Sequence, residues 1–290
     1  MATPSTVRQA ERSIVGGEFP FTDADFKQIA AMLYADAGLA LPESKATLVY
    51  SRLAKRLRTL GLESFREYCK LVSESEGFSE RRNMLAALTT NVTRFFREPH
   101  HFEHLKAEVL PGLVQKAKGG GRVRIWSAAC STGQEPYSLA LTVLSMMPDA
   151  SERDVRILAT DIDPNVVTTA RRGVYSQSEV APIPRDLAKR WMEPRDGGGL
   201  EAGEAMRELV SFRELNLIAP KWPMKGRFDV IFCRNVVIYF DEPTQHRVWG
   251  RFREQLQPNG RLYVGHSERV TDGAFRSDGL TSYVLTGGRA

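Results

Sequence analysis

Apolar residues in the first part of the chain recur at spacings of three and four, the period of a helix with one buried face. This pattern predicts helices that begin near residues 22, 42, 65 and 84. Gly38 and Gly61 are suited to end the first two. Residues 21–90 are therefore predicted to form a small helical domain, and the polar residues 1–20 before it a flexible tail.

The hydrophobic pattern changes after the triple glycine at residues 119–121. Short apolar runs now alternate with segments of helical spacing, which is typical of an α/β domain built on a parallel sheet. Strands are predicted at residues 123–128, 155–160, 228–233 and 260–265, with a last antiparallel edge strand at 283–285. We expect an α/β domain over residues 119–290, preceded by a linker and helix over residues 91–118.

The middle of this domain departs from the alternation of strand and helix. Two prolines, the turn Gly197-Gly198-Gly199 and a short apolar run at residues 209–212 indicate a hairpin. We predict a small antiparallel β-subdomain inserted at about residues 178–214.

Composition narrows the class of protein without naming a function. With 290 residues, 42% hydrophobic and 26% charged, the chain has enough apolar mass for a folded core. Forty Lys and Arg against 35 Asp and Glu give a net charge of +5, which permits acidic partners without requiring nucleic acid. Because no apolar run approaches the length of a membrane span, we expect a cytoplasmic protein without membrane insertion.

Cysteine and histidine residues give little support for a metal site. The three cysteines lie far apart, and we expect reduced, buried thiols. His100, His101 and His104 could share a helix face, but no further ligand is positioned to complete a metal shell. We interpret them as histidines on a helix surface and predict no metal.

Polar residues follow the predicted strands, where open parallel sheets bind their ligands. A small-residue loop at 129–136 follows the first strand, Asp161 ends the second, and Arg234 with Asn235 leaves a later buried strand. A carboxylate at the position of Asp161 can accept both hydroxyls of a ribose, whereas Asp163 is suited to cap the next helix. The chain lacks the glycine-rich fingerprints of dinucleotide and triphosphate sites.

Five motifs in chain order resemble those of the chemotaxis receptor methyltransferases of the CheR type. They are TNVTRFFR at residues 90–97, STGQEPYS at 131–138, TDID at 160–163, LNL at 215–217 and FCRNVVIYF at 232–240. The resemblance covers nearly the whole chain from about residue 21. It implies a helical N-terminal domain and a Rossmann-like, class I S-adenosylmethionine domain with a small inserted antiparallel β-subdomain.

The resemblance also implies which residues line a pocket for S-adenosylmethionine. Glu135 would face the cationic amino-acid end of the cofactor, and Asn216 with Leu217 would hold the adenine by a polar edge and an apolar face. The implied cofactor-binding residues are Asn91, Thr93, Arg97, Glu135, Asp161, Asn216, Leu217, Arg234 and Asn235.

The implied reaction is methyl transfer to the side-chain carboxylate of a receptor glutamate, which gives a glutamyl methyl ester and S-adenosylhomocysteine. A glutamate with a pKa of about 4.3 is ionised at neutral pH, so no general base is required and catalysis depends on placement. The resemblance puts Arg97, Arg234 and Tyr239 around the transferred methyl group as catalytic residues. We assign both arginines to orienting the acceptor carboxylate, with Tyr239 hydrogen-bonding beside them.

The partners that the resemblance implies are methyl-accepting chemotaxis receptors, whose cytoplasmic part is a helical bundle. The family uses its second helix against these receptors, and basic side chains can share one face of that helix here. The receptor-binding residues would be Lys45, Arg52, Lys55 and Arg56. The inserted β-subdomain of relatives can bind a receptor's C-terminal peptide by strand addition, and whether this chain does so stays open. We expect a monomer.

Two other functions stay open on the sequence. One is a methyltransferase that acts on RNA or another substrate, which the basic charge balance allows, although no RNA-binding motif with interleaved aromatic residues is present. The other is a non-catalytic scaffold that binds S-adenosylmethionine within a signalling complex. Retention of the residues assigned to catalysis argues against the scaffold.

Overall fold

The computed structural model describes residues 13–286, which divide after Thr89 into two compact units. Residues 1–12 of the predicted tail lie outside this range. The remainder of that tail differs from the expectation, because Phe19 is buried and its backbone N–H donates to the Tyr50 hydroxyl at 3.1 Å. An apolar side chain thus gives this segment a place in the helical core despite its polar composition.

The described part of the first unit is built from the helices α1 to α4. They span Asp23–Ala37, Ala46–Leu60, Phe65–Ser73 and Phe78–Leu88. Thr22 and Asp25 form a capping box at the start of α1, and Gly38 and Gly61 follow α1 and α2 in the left-handed conformation. The apolar faces of these helices pack into one hydrophobic core, as the spacing of apolar residues predicted.

The second unit alternates strands and helices around a central sheet. Its strands β1 to β10 span Val123–Ala128, Val155–Asp161, Val174–Tyr175, Met192–Pro194, Leu200–Ala202, Val210–Glu214, Phe228–Cys233, Leu256–Val264, Phe275–Gly279 and Ser282–Leu285. Its helices α5 to α12 span His100–His104, Leu110–Lys118, Gln134–Met146, Pro164–Arg172, Gln177–Val180, Arg185–Trp191, Glu204–Leu209 and Glu242–Gln255. A π-helical segment at Leu105–Val109 joins α5 to α6.

Seven of these strands form one sheet in the order β6-β2-β1-β7-β8-β10-β9, and the first five run parallel. This arrangement confirms the predicted α/β class. Every residue of β7 is buried, which explains its continuous apolar sequence. Along residues 13–286, no helix combines the length and the apolar character that crossing a bilayer requires.

Two predicted strand arrangements differ in the structure. Val210–Glu214 is not part of the inserted hairpin but pairs parallel with β2 at the edge of the main sheet. The insertion is a three-stranded antiparallel sheet in the order β3-β5-β4. The last predicted strand, β10, is antiparallel as expected but lies between β8 and β9 rather than at the edge. The spacing of apolar residues indicates that a segment forms a strand, but it does not show which strands pair with it.

Candidate functional site

Candidate residues from four strands meet at one edge of the sheet, because β6, β2, β1 and β7 are adjacent and parallel. Asn216 follows β6, Asp161 ends β2, Glu135 lies at the start of α7 after β1, and Asn235 follows β7. Open α/β sheets bind their ligands beyond the carboxyl ends of such strands. The structure therefore brings together residues that the sequence placed at separate strand ends.

The loop between β1 and α7 is tightly built around glycine. Gly133 has a φ of +98°, and a Cβ atom there would lie 2.7 Å from the Tyr175 hydroxyl. In the same loop the Ser131 N–H donates to Asp161 Oδ2 at 2.8 Å, and the Asp163 N–H donates to Oδ1 at 3.1 Å. These bonds fix the orientation of the Asp161 carboxylate, while burial raises its pKa.

Asn91 is held against the end of β2. Its side-chain amide donates to Asp163 Oδ2 at 3.2 Å, and its carbonyl accepts from Ser131 Oγ at 2.8 Å. Asp163 also caps α8, as the sequence predicted. Thr93, two residues further along, is partly exposed. The segment that begins at Asn91 is thereby tied to the loop and the strand end that carry Asp161.

Glu135 lies in the first turn of α7, and its carboxylate is held from two sides. Oε1 accepts from the Ser127 hydroxyl at 2.7 Å, and Oε2 accepts from Arg234 Nε at 2.7 Å. Ser127 belongs to β1 and Arg234 follows the neighbouring β7. Two adjacent strands therefore fix the direction in which this carboxylate points.

Arg234, which the sequence motifs led us to expect beside the acceptor carboxylate, is enclosed by the protein in this structure. Its side chain is 2% exposed. Besides Glu135, it contacts the Arg97 carbonyl, to which Nη1 donates at 2.7 Å, and His101 Nδ1 at 3.0 Å. Two aromatic rings flank the guanidinium, those of Phe102 and Phe232. Its Nε and Nη1 donors bond within the fold, and the bond from Nε fixes one oxygen of Glu135. The sequence could not show this, since these partners lie 99 to 137 residues away.

Arg97 and Tyr239 are the assigned catalytic residues that reach the surface of this edge. Arg97 is partly exposed, and its Nη1 donates to the Val92 carbonyl at 2.9 Å. Tyr239 is 37% exposed and lies in the single turn Val237–Tyr239 after β7. Both side chains are accessible to a macromolecular acceptor.

Asn216 and Leu217 extend the site towards β6. The Asn216 Oδ1 accepts from the Ile218 N–H at 3.0 Å. Leu217 is buried, and its carbonyl accepts from Arg251 Nη1 at 3.1 Å. A polar side chain beside a buried apolar one suits a flat ring with hydrogen-bonding edges.

Two residues that the sequence did not assign complete the network, Glu98 and His101. The prediction of a surface histidine is wrong for His101, which is fully buried, with Nε2 2.8 Å from Thr281 Oγ1. Burial, and then the charge of Arg234, lowers its pKa to about 3, so the neutral ring can accept from Arg234 at Nδ1. Possible metal-ligand atoms lie within 4.8 Å of one another on Glu98, His100 and His101. The positively charged Arg234, 3.0 Å from His101 Nδ1, opposes a metal ion at this position.

Backbone strain concentrates on the segments of this edge. Positive φ occurs at seven non-glycine residues of the described chain, and five of them lie on these segments: Phe96, Glu98, Ala129, Ser131 and Asn235. Such conformations cost about 1–3 kcal/mol each and persist where surrounding contacts hold them, commonly at functional sites.

The charges of this edge fit the cationic cofactor that the sequence motifs imply. A carboxylate offers about four acceptor positions, so Asp161 and Glu135 keep capacity for ligand hydroxyls and an ammonium group after their bonds within the fold. These two carboxylates offer acceptors for the ammonium group and the ribose hydroxyls of S-adenosylmethionine, so the acceptor set of this edge fits that cofactor.

In the first unit, the basic residues assigned to receptor binding fall into two pairs. Lys45 and Lys55 are exposed. Arg52 Nη1 instead donates to three carbonyl groups at the C-terminal end of α4, at 3.3, 3.0 and 2.8 Å, and Arg56 forms a two-bond ion pair with Glu80. These two guanidinium groups are tied into the fold of the first unit, whereas the two lysines are exposed.

Sequence comparison assigns both units to one family. Residues 24–89 match the family description "CheR methyltransferase, all-alpha domain", and residues 91–284 match "CheR methyltransferase, SAM binding domain". A relative from Rhizobium etli, named probable chemotaxis protein methyltransferase, is 55% identical and covers 88% of this chain and 97% of its own length. Chemotaxis protein methyltransferase 2 of Pseudomonas aeruginosa is 44% identical, covering 92% and 94%. The Escherichia coli chemotaxis protein methyltransferase is 39% identical, covering 91% and 92%. The chain therefore belongs to the CheR family of S-adenosylmethionine-binding methyltransferases.

Proposed function

We propose that the protein methylates glutamate side chains of methyl-accepting chemotaxis receptors, giving glutamyl methyl esters and S-adenosylhomocysteine. One observation carries the proposal: Arg97 and Glu135 converge on the enclosed Arg234 at the ligand-binding edge of a family domain that binds S-adenosylmethionine. The names of the relatives support chemotaxis receptors as the substrate class.

S-adenosylmethionine supplies an electrophilic methyl group when it is bound. Glu135 would hold its ammonium group, and Asp161 the ribose hydroxyls. Arg234 would act through Glu135 as a positioning residue, with neutral His101 fixing the guanidinium from the other side. The remaining lining would come from Asn91, Thr93, Asn216, Leu217 and Asn235.

The acceptor side of the site would be served by Arg97 and Tyr239. A receptor glutamate with a pKa of about 4.3 arrives ionised at neutral pH, so these residues have no proton to remove. Their task is alignment, which can lower a barrier by up to ~7–11 kcal/mol. Arg97 must leave one carboxylate oxygen free, because gripping both would stabilise the ground state. Tyr239 would hydrogen-bond beside it.

Receptor docking at α2 would rest on two exposed lysines, Lys45 directly before the helix and Lys55 within it. Replacing Lys45 and Lys55 together by glutamate should raise the receptor KM about tenfold at low salt and leave cofactor affinity unchanged. The double variant Lys106→Glu and Lys118→Glu is the charge-matched control, because both are exposed lysines of the second unit. An unaltered KM in the variant of Lys45 and Lys55 at low salt, or an equal rise in the control, would contradict docking through these lysines.

The inserted sheet offers a second docking point for receptors that carry a C-terminal peptide. β3 and β4 form its two edges, and an extended peptide can pair with such an edge through main-chain hydrogen bonds. Adding the free peptide in excess should then raise the KM for such a receptor. If the free peptide leaves the KM of an intact receptor unchanged while that receptor is still methylated, the receptor docks through its helical bundle alone.

The reaction class is tested by the chemical stability of the product. Incubation with methyl-labelled S-adenosylmethionine and receptor-bearing membranes should transfer label that alkali releases as methanol, since carboxyl esters are alkali-labile. Membranes without receptors are the control. Stable label on protein or RNA would contradict glutamyl esterification, and cofactor binding without any transfer would favour a scaffold.

A further inference from the structure

Glu268 follows β8 and is one of the most buried charged residues of the described chain, with 4% of its surface exposed. Its carboxylate lies at the centre of five backbone N–H groups. Oε2 accepts from Gly265 at 2.5 Å and from Asn235 at 2.9 Å. Oε1 accepts from Val236, Val237 and Ile238 at 2.9, 2.7 and 3.3 Å.

Four of these donors are consecutive residues of the loop that leaves β7. Successive backbone N–H groups turned to one side form a nest that binds an anion, and here the anion is a side chain of the same chain. Burial raises the pKa of Glu268, whereas the bonds from Gly265 and Asn235 favour its charged form. All five partners are donors, and a carboxylate that accepts at both oxygens matches them, whereas an added proton would point at N–H groups.

The same loop carries two residues of the proposed site. Asn235 has a φ of +59° and donates from Nδ2 to Glu98 at 3.3 Å, and Tyr239 ends the single turn that follows. A Cβ atom at Gly265 would lie 2.4 Å from Asn235 Nδ2, so the loops after β7 and β8 are in close contact. Asparagine adopts the left-handed region more readily than most residues, and here the N–H bond to Glu268 and the side-chain bond to Glu98 both hold Asn235 in it.

We propose that Glu268 is a positioning residue for methyl transfer, whose carboxylate holds the loop from Asn235 to Tyr239 in the conformation that presents both side chains to the reaction. The inference rests on the proposed function of Asn235 and Tyr239. It adds a residue that touches neither cofactor nor acceptor and acts through the backbone of the loop.

Glu268→Gln tests the role with little change in size, because an amide nitrogen replaces one oxygen and faces N–H donors. Asp229→Asn is a matched control on β7, the strand that leads into the loop held by Glu268. Asp229 is 8% exposed and accepts from Lys116 Nζ at 2.6 Å and from the Arg124 N–H at 2.8 Å, at the opposite end of β7 from the site. Both variants remove a buried carboxylate that is bonded to the backbone.

At saturating cofactor and receptor, Glu268→Gln should lower turnover at least about tenfold, while Asp229→Asn should stay within about twofold of the wild type even if both lose stability. Equal losses of turnover in the two variants would assign Glu268 a merely structural role and overturn the proposal.

Hydrogen exchange provides a readout that needs neither cofactor nor receptor. In the wild type the amides of Val236 and Val237 should exchange slowly, and Glu268→Gln, but not Asp229→Asn, should accelerate them at least about tenfold. Unchanged exchange in Glu268→Gln overturns the proposal. If that variant does not fold, the wild type alone tests the proposal, and rapid exchange of the Val236 and Val237 amides in the wild type would overturn it. Absence of methyl transfer by the wild type, with these amides protected, would count against the proposed function alone.

Discussion

Replacing Arg234 by lysine separates two roles for the buried guanidinium group. Arg234 reaches Glu135, the Arg97 carbonyl and His101 at 2.7, 2.7 and 3.0 Å. A lysine ammonium keeps the charge, but its compact head can serve only one of these directions well. Two charge-assisted hydrogen bonds of about 1.5–3 kcal/mol each are therefore lost, and we expect the free energy of unfolding to fall by at least about 3 kcal/mol.

The same substitution is expected to weaken cofactor binding. Without Arg234 Nε, Glu135 loses the partner that orients its Oε2 atom. We expect this to weaken or break the charged hydrogen bond from Glu135 to the cofactor ammonium group, which is worth about 1.5–3 kcal/mol. The dissociation constant for S-adenosylhomocysteine, measured by titration calorimetry, should rise by roughly 10–100-fold. Arg97→Lys is the matched control, which should lower turnover far more than it raises that constant.

The opposite pattern would refute the positioning role of Arg234. If Arg234→Lys binds S-adenosylhomocysteine as the wild type does, yet turns over slowly at saturating cofactor, its guanidinium acts on the acceptor. The enclosure by Glu135, Arg97 and His101 would then describe a conformation that opens when the receptor binds.

Four further predictions concern single residues. Tyr239→Phe should lower turnover by about tenfold or more without changing the cofactor dissociation constant, and wild-type turnover would contradict its assigned role. Gly133→Ala forces a side chain into a positive-φ position against a neighbouring hydroxyl, so we expect a loss of about 1–3 kcal/mol in denaturant unfolding together with weaker cofactor binding. The pKa of His101 falls from 6.5 to about 3 on folding, so its contribution to stability is present above pH 6.5 and is lost as the pH falls from 6.5 towards 3. Urea titrations should show that the wild type loses about 2 kcal/mol more between pH 7 and pH 5 than His101→Asn, whereas parallel losses would argue against a buried neutral ring. Arg56→Gln breaks a largely buried ion pair and should cost about 2–3 kcal/mol, while the exposed Lys55→Gln should cost nothing measurable, and equal stability of the two variants would contradict this distinction.

Local pattern was sufficient for the elements that form the site. The predicted strands at residues 123–128 and 228–233 and the predicted helix cap at Asp163 agree with the structure, because each depends on a continuous apolar run or on one capping side chain. The residues directly after such strands are then placed at the ligand-binding edge by the topology of parallel sheets alone.

Pattern failed where a side chain's role depends on distant partners. Arg234, Arg52 and Arg56 appear in the sequence as accessible cations, but acceptors far along the chain enclose or engage them. Glu268 gave no signal at all, since its partners are backbone N–H groups that any residue type provides. The sequence therefore shows which charged side chains are present, but it does not show which groups they contact.

The most direct test of the central claim is to locate the transferred methyl group within the receptor. After reaction with labelled S-adenosylmethionine, peptide fragmentation by mass spectrometry should place the label on glutamate side chains of the cytoplasmic helical bundle, and replacing those glutamates by alanine should abolish it. Label on another residue type, or undiminished label on the substituted receptor, would contradict the account.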